Sequence, residues 1–360
     1  TRAKVLHHLG IVNRHAGSVG RAFEALRQSS NLAAELHLFS LESRANAVLS
    51  NLALHEEDDA HQQMAYAERA ATAARKAGDT FALRTALLQL LSAAARAGDA
   101  EKVIAIEQRL LVTGLDESTR RYTAFFRSVR LAWEGRFNEA HQLLSCCWDQ
   151  LHFDFDRVSA GAQYALCLAL DERRDSSINM IRSVLNLANS LNCTSLFRAR
   201  TVALSKAYCA LAELANDRAT LSLRILASLD SGDAVERVAC RVVRGIHHRI
   251  RERGLHRSDE IDANIDELRA LGYADAASLL RAVGSELARR SAEGSEAGCL
   301  TRSEFDVLRL LADGFAPKEI AGTTGRSVHT VRGHIANIIW KLECHSQLEA
   351  VELARRKGIL

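Results

Sequence analysis

The sequence predicts an all-α chain: a superhelix of stacked helical hairpins followed by a small four-helix module. Three observations carry this. Proline occurs once in 360 residues, at Pro317, where average usage would give roughly 18. A chain this long with one helix breaker is helical throughout. Aromatic residues are only 5%, too few for a sheet core built on aromatic and β-branched pairs. From residue 1 to about 288, apolar residues and alanines recur at spacings of three and four, separated by short polar breaks.

The breaks set a period. Ala97-Gly98-Asp99 and Glu134-Gly135-Arg136 place two glycines 37 residues apart. His15-Ala16-Gly17-Ser18 is an earlier copy and Asn216-Asp217-Arg218 a later one. Gly98 and Gly135 supply the positive φ that ends the first helix of a hairpin. Small residues just beyond, such as Ala140, let the second helix pack close. Lys76-Ala77-Gly78-Asp79 is a similar break between hairpins. One hairpin cannot bury its apolar face alone, so a period of 35 to 40 predicts a stack, here of six to seven hairpins. Residues 289 to 299, Arg289-Arg290-Ser291-Ala292-Glu293-Gly294-Ser295-Glu296-Ala297-Gly298-Cys299, hold almost no large apolar group and predict a flexible linker.

Residues 300–360 form the second part. Thr301-Arg302-Ser303-Glu304 predicts a capping box, with Leu300 and Phe305 as its hydrophobic staple. The first helix buries Val307, Leu308 and Leu311 and stops at Gly314. A second helix starts at Pro317, where a first-turn proline is tolerated, turns Ile320 and Ala321 inward and ends by Gly325. Ser327 caps a third helix, 328 to about 342. There Val331, Ile335, Ile338 and Leu342 are spaced four, three and four, so they face the core. A fourth helix opens at a second capping box, Ser346-Gln347-Leu348-Glu349, and stops at Gly358.

The third helix leaves His329, Arg332, Gly333, Ala336 and Trp340 on its outer face, flanked by Thr330, His334, Asn337 and Lys341. Small residues beside an arginine permit close approach to a DNA major groove. From Gly325 to His345 the basic residues Arg326, Arg332 and Lys341 stand against Glu343, a net of +2 in a chain whose 47 basic and 44 acidic residues total +3. Two short helices followed by a longer capped one with a basic outer face make a helix-turn-helix.

These residues resemble the LuxR-type (FixJ/NarL-type) DNA-binding domain of bacterial transcription regulators. The resemblance runs from Leu300-Thr301 and Glu304 through Val307-Leu308, Gly314, Lys318-Glu319-Ile320-Ala321, Ser327, Thr330-Val331, His334, Ile338 and Lys341-Leu342 to Ala350. It implies a regulator that binds double-stranded DNA as a homodimer. Arg332 is the expected base contact, with Asn337 a further candidate and Ala336 placed to meet a thymine methyl. His329 and Gly333 share that face, and Thr330 and His334 flank it. Ser327 and Thr330 lie at a helix N-terminus that favours a phosphate, and Lys318, Arg326 and Lys341 are expected phosphate contacts. The sequence departs from the family pattern at Ser303 and Gln347, where arginines are usual. It departs again at Ala316, where a Ser or Thr cap is usual and whose loss costs about 1 kcal/mol.

Residues 1–288 are similar to the tetratricopeptide-type arrays of bacterial regulator sensor regions, most closely over 125–144 (Leu131-Ala132, Gly135, Phe137, Glu139-Ala140) and next over 88–111. The resemblance implies a unit that senses a small-molecule or protein effector or drives oligomerisation. The large LuxR regulators resembling the maltose-regulon activator carry an ATPase domain upstream. This chain holds no G-x-x-x-x-G-K-[ST], and it begins with Thr1 rather than Met, as a truncated chain would.

The remaining features predict little chemistry. The uncharged runs Val158 to Leu170 and Ser183 to Phe197 fall short of the ~18 apolar residues a spanning helix needs, so a cytoplasmic protein is expected. None of the eight cysteines forms a C-x-x-C pair, so they are read as reduced core thiols. The pairs His7-His8 and His247-His248 make poor metal sites, and Glu56-Glu57-Asp58-Asp59 is read as a solvated acidic loop. No cofactor, metal or catalytic activity is expected. The rival reading is a protein-interaction scaffold with a degenerate helix-turn-helix.

Overall fold

The computed structural model describes residues 1–55, 58–193, 195–229, 233–251, 258–296, 300–342, 344–356 and 359–360. Among the described residues there are nineteen α-helices, one 3-10 turn and no strand. The chain divides into two compact units, Thr1–Gly284 and Ser285–Leu360.

In the first unit, consecutive helices pair as hairpins: α1 (Arg2–His15) with α2 (Val19–Glu35), α3 (Phe39–His55) with α4 (Ala60–Ala77), and α5 (Thr80–Arg96) with α6 (Ala100–Val112). The pattern continues with α7 (Glu117–Trp133) and α8 (Phe137–Ser145), then, after a 3-10 turn at Trp148–Gln150, α9 (Asp154–Leu170) and α10 (Arg174–Ser190). Then come α11 (Leu196–Ala215) with α12 (Ala219–Ala227), α13 (Ala234–Arg251) with α14 (Ser258–Ala270), and α15 (Ala274–Glu296), which begins in the first unit and ends in the second. Each hairpin from α1 to α14 packs on its neighbour in the chain.

Each described hairpin turn holds one left-handed residue. Gly17, Gly98 and Gly135 take φ of 74°, 67° and 76°, as the breaks predict. The same place is held by Asp58 (54°), Glu172 (59°) and Asp217 (60°). A glycine-based reading cannot see Asp58 or Glu172, because a non-glycine there carries no composition signal. Asp59, Asp79, Asp99 and Asp116 cap α4, α5, α6 and α7 by accepting helix amide protons.

The core of the hairpins is alanine- and leucine-rich. Around α4 to α6 it consists of residues such as Ala67, Ala71, Leu87, Leu91, Val103 and Leu110. Where the helices come closest only glycine fits. A Cβ on Gly161 of α9 would lie 2.7 Å from Val184 Cγ2 of α10.

The composition of 289–299 predicted a linker, but residues 289–296 are the last turns of α15. Glu286 pairs with Arg289 and Arg290, three and four residues on, and such pairs support a helix with few large apolar residues. Residues 297–299 lie outside the described residues, as do Glu56, Glu57 and Gly358.

In the second unit, α16 (Arg302–Ala312), α17 (Pro317–Thr324), α18 (Val328–Lys341) and α19 (Gln347–Arg356) enclose one core. Val307, Leu308, Ile320, Val331, Ile338 and Ala350 are its fully buried centre, and Ile335 and Leu342 are buried beside them. Leu300 is buried and Phe305 packs against the same cluster, as a staple should. Leu311 is only half-buried.

Candidate nucleic-acid interface

The second and third helices of this unit are set by their ends. Gly325 adopts φ 65° and closes α17, and Ser327 opens α18 by accepting from the Thr330 amide at 3.1 Å. A left-handed glycine followed two residues later by a cap makes a tight turn, so α17 and α18 pack directly on each other. Ala316 offers no side-chain cap to α17. The other half of a capping box survives, since the Ala316 amide donates to Glu319 Oε2 at 2.8 Å.

The apolar stripe of α18 is buried as its spacing predicts, so the opposite face is forced outward. His329, Arg332, Gly333, Ala336 and Asn337 are all exposed, and Trp340 is 69% exposed. A Cβ on Gly333 would meet nothing within 4 Å, so that position is open space. Lys318 on α17 and Ser327 are exposed beside this face, whereas Thr330 is half-buried and its hydroxyl lies 2.8 Å from Ser327 Oγ.

Three of the expected contact residues are turned inward. His334 is 6% exposed. Arg326 donates from Nη2 to Ser303 Oγ at 3.0 Å and places Nη1 3.5 Å from His334 Nε2. Lys341 pairs with Glu304, whose side chain is 3% exposed. Glu304 also closes the capping box, accepting from the Thr301 amide at 2.8 Å while its own amide donates to Thr301 Oγ1 at 3.2 Å. The departure at Ser303 has a structural counterpart: its hydroxyl accepts from Arg326. Serine at that position was the one signal in the sequence for this rearrangement. The Lys341–Glu304 pair spans 37 residues and has no local signature.

The exposed face combines one guanidinium, one carboxamide, one imidazole, one indole and two residues without bulk. That set can donate to base edges and admit close approach, with Lys318 to one side for phosphate. Among the described residues no cluster could hold a metal ion, and no helix is long and apolar enough to cross a membrane.

Residues 299–354 match the family described as bacterial regulatory proteins, luxR family. This region is similar to an uncharacterized response regulatory protein, YgeK, of Escherichia coli, at 43% identity over 60 residues. It is also similar to the transcriptional regulatory protein DesR of Bacillus subtilis, at 44% over 64 residues, and to the response regulator protein VraR of Staphylococcus aureus, at 34% over 61. These alignments cover 17%, 18% and 17% of this chain, and 41%, 32% and 29% of the respective relatives. The chain thus spans less than half the length of each, and the likeness is confined to its LuxR-type helix-turn-helix.

Proposed function

We propose that this chain is a cytoplasmic transcription regulator that reads DNA with α18 in the major groove. The observation that carries the reading is the outer face of α18, where Arg332, Ala336 and Asn337 stand exposed directly opposite a buried apolar stripe. Arg332 is the base contact, most simply to a guanine edge, and Asn337 and Ala336 follow it along the groove. His329, Gly333, Ser327 and Thr330 line the approach, and Lys318 holds phosphate. Arg326, His334 and Lys341 act one layer back: they fix the angle of α18 against α16 rather than touch DNA.

We propose that it binds as a homodimer on a two-fold site, as the resemblance to LuxR-type regulators implies. The first unit is a tetratricopeptide-like array that senses a small-molecule or protein effector or drives assembly.

The test is selection of duplexes from a random library by the full chain, then titration of the enriched site. Arg332→Ala should lose about 1–3 kcal/mol of discrimination at one base pair while keeping most non-specific affinity. Equal affinity of Arg332→Ala and the unmodified chain for the selected site would remove Arg332 as the base contact. A scaffold with a degenerate helix-turn-helix is the second reading, favoured by Arg332 being the single arginine or lysine on the outer face. Binding at neither low nor physiological salt would favour it.

A further inference from the structure

In a stacked-repeat array each unit touches its neighbours in the chain. At one place the first unit departs from this. The carboxylate of Asp58, in the α3–α4 turn, accepts from Arg96 Nη2 at the end of α5 (2.6 Å), from Arg200 Nη1 near the start of α11 (2.7 Å) and from the Tyr273 hydroxyl ahead of α15 (2.6 Å). The last two partners lie 142 and 215 residues away in sequence. Arg200 also pairs with Asp233, which precedes α13, at 3.0 Å. The Arg96 guanidinium sits between the rings of Phe197 (5.3 Å) and Tyr273 (5.0 Å), and His55 meets Phe197 edge-on at 5.2 Å. Beside it the α5–α6 turn touches α15, with a Cβ on Gly98 falling 3.2 Å from Ala274 Cβ.

We propose that this Asp58-centred cluster is a clasp that closes the repeat unit on itself, and that its opening parts residues 55–98 from the α11–α15 end without unfolding either. The chemistry of the seam differs from that of the hairpins. Alanine and leucine hold each hairpin to the next, whereas the seam is made of carboxylates, guanidinium groups and aromatic edges. The charged centre is dry: the side chains of Asp58 and Arg96 are 3% and 8% exposed. Desolvating such ions cancels much of their attraction. Among the described residues, Arg96 Nε and Nη1 are buried without a hydrogen-bond partner, which raises the cost of the closed arrangement.

A seam of this kind is close to balance while the hairpins on either side are not. Any ligand or partner that favours one arrangement therefore shifts the population. The clasp does not depend on whether α18 binds DNA.

The test is hydrogen exchange and small-angle scattering on the full chain, unmodified and with Asp58→Asn or Tyr273→Phe. Tyr273→Phe removes one hydroxyl and keeps the ring, so it serves where Asp58→Asn fails to fold. The clasp predicts exchange at least about tenfold faster around residues 58–62, 96–100, 196–202 and 272–276, with α9 and α10 unchanged and a larger radius of gyration. Tyr273→Phe should move in the same direction by less. Unchanged exchange at the seam in the folded variants would overturn the proposal. So would equal acceleration in α9 and α10, because the cluster would then belong to one cooperative core.

Discussion

Lys341→Met separates two roles that one residue can hold, a phosphate contact or an internal brace. The substitution keeps the alkyl stem and removes the charge. Glu304, 3% exposed at its side chain, would then lose its cation and retain only the Thr301 amide. Removing one partner of a buried pair costs about 3–5 kcal/mol. Lys341 is 22% exposed, so water softens the loss, and the surviving amide bond reduces it again. The expected cost is about 2–3 kcal/mol to the second unit, or a fall of roughly 10–20 °C in its melting temperature. Urea-dependent hydrogen exchange of the α16 and α18 amides in the full chain reads this directly. Adding Glu304→Gln should recover part of the loss, because no buried charge is then left alone. The slope of DNA affinity against salt should stay unchanged, since no phosphate contact is removed. A cost below about 0.5 kcal/mol together with a slope shallower by about 0.9 would refute the brace and place Lys341 on the DNA.

The first unit should show two opposed pH limbs. Burial, helped by Arg198, Arg14 and Arg96, lowers His55 from 6.5 to about 4. Its contribution is present above 6.5 and is lost as pH falls toward 4, about 2–3 kcal/mol after allowing for partial exposure. Burial raises Asp275 from 3.8 to about 6, so its contribution is present below 3.8 and lost as pH rises through 6. Asp275→Asn should therefore stabilise the protein by about 2–3 kcal/mol at pH 7–8 and leave it unchanged at pH 4, and a denaturation series in which it is neutral at both would contradict this. Gly161→Ala should destabilise: a Cβ 2.7 Å from Val184 Cγ2 costs about 1–3 kcal/mol of overpacking, more than the roughly 1 kcal/mol that alanine gains in helix propensity. Val184→Ala should restore the difference in the same melt. Alkylation of the native protein should modify the exposed Cys146 and Cys193 and spare Cys167, whose thiol burial pushes up to about 12, until denaturant is added. Equal labelling rates at Cys146 and Cys167 would show that the α9 core opens.

How much of this was legible in the sequence depends on the range of the interaction. The hairpins follow from three- and four-residue periodicity and from turn residues, and both are local signals. The turns that escaped were those where Asp58 and Glu172 do the work of glycine, because their left-handed φ is imposed by the packing around them. The linker failed for a related reason. Ser, Glu and Arg are permissive helix residues, and the Glu286 pairs one turn away carry α15 on through a stretch with no apolar stripe. The Asp58 cluster was invisible, since its partners lie up to 215 residues apart and the acidic run around it reads as a solvated loop.

In the helix-turn-helix the exposed face was legible and the division of labour among its basic residues was not. Nine residues are two and a half turns, so periodicity sets Arg332 and Lys341 on opposite flanks of α18, but it does not say which flank meets a carboxylate. That is decided at the end of the helix. Lys341 closes α18 where α16 begins, within reach of a buried carboxylate that caps α16, while Arg332 lies in the first turns with no acid paired to it among the described residues. Arg326 is drawn in the same way by Ser303 and His334. Arg326 and Lys341, at the two ends of α18, are thus both held against the body of the unit. On the proposed reading, specificity rests on few side chains, so loosening Lys341 or Arg326 should blur discrimination among DNA sites through α18's orientation, even where Arg332 is intact.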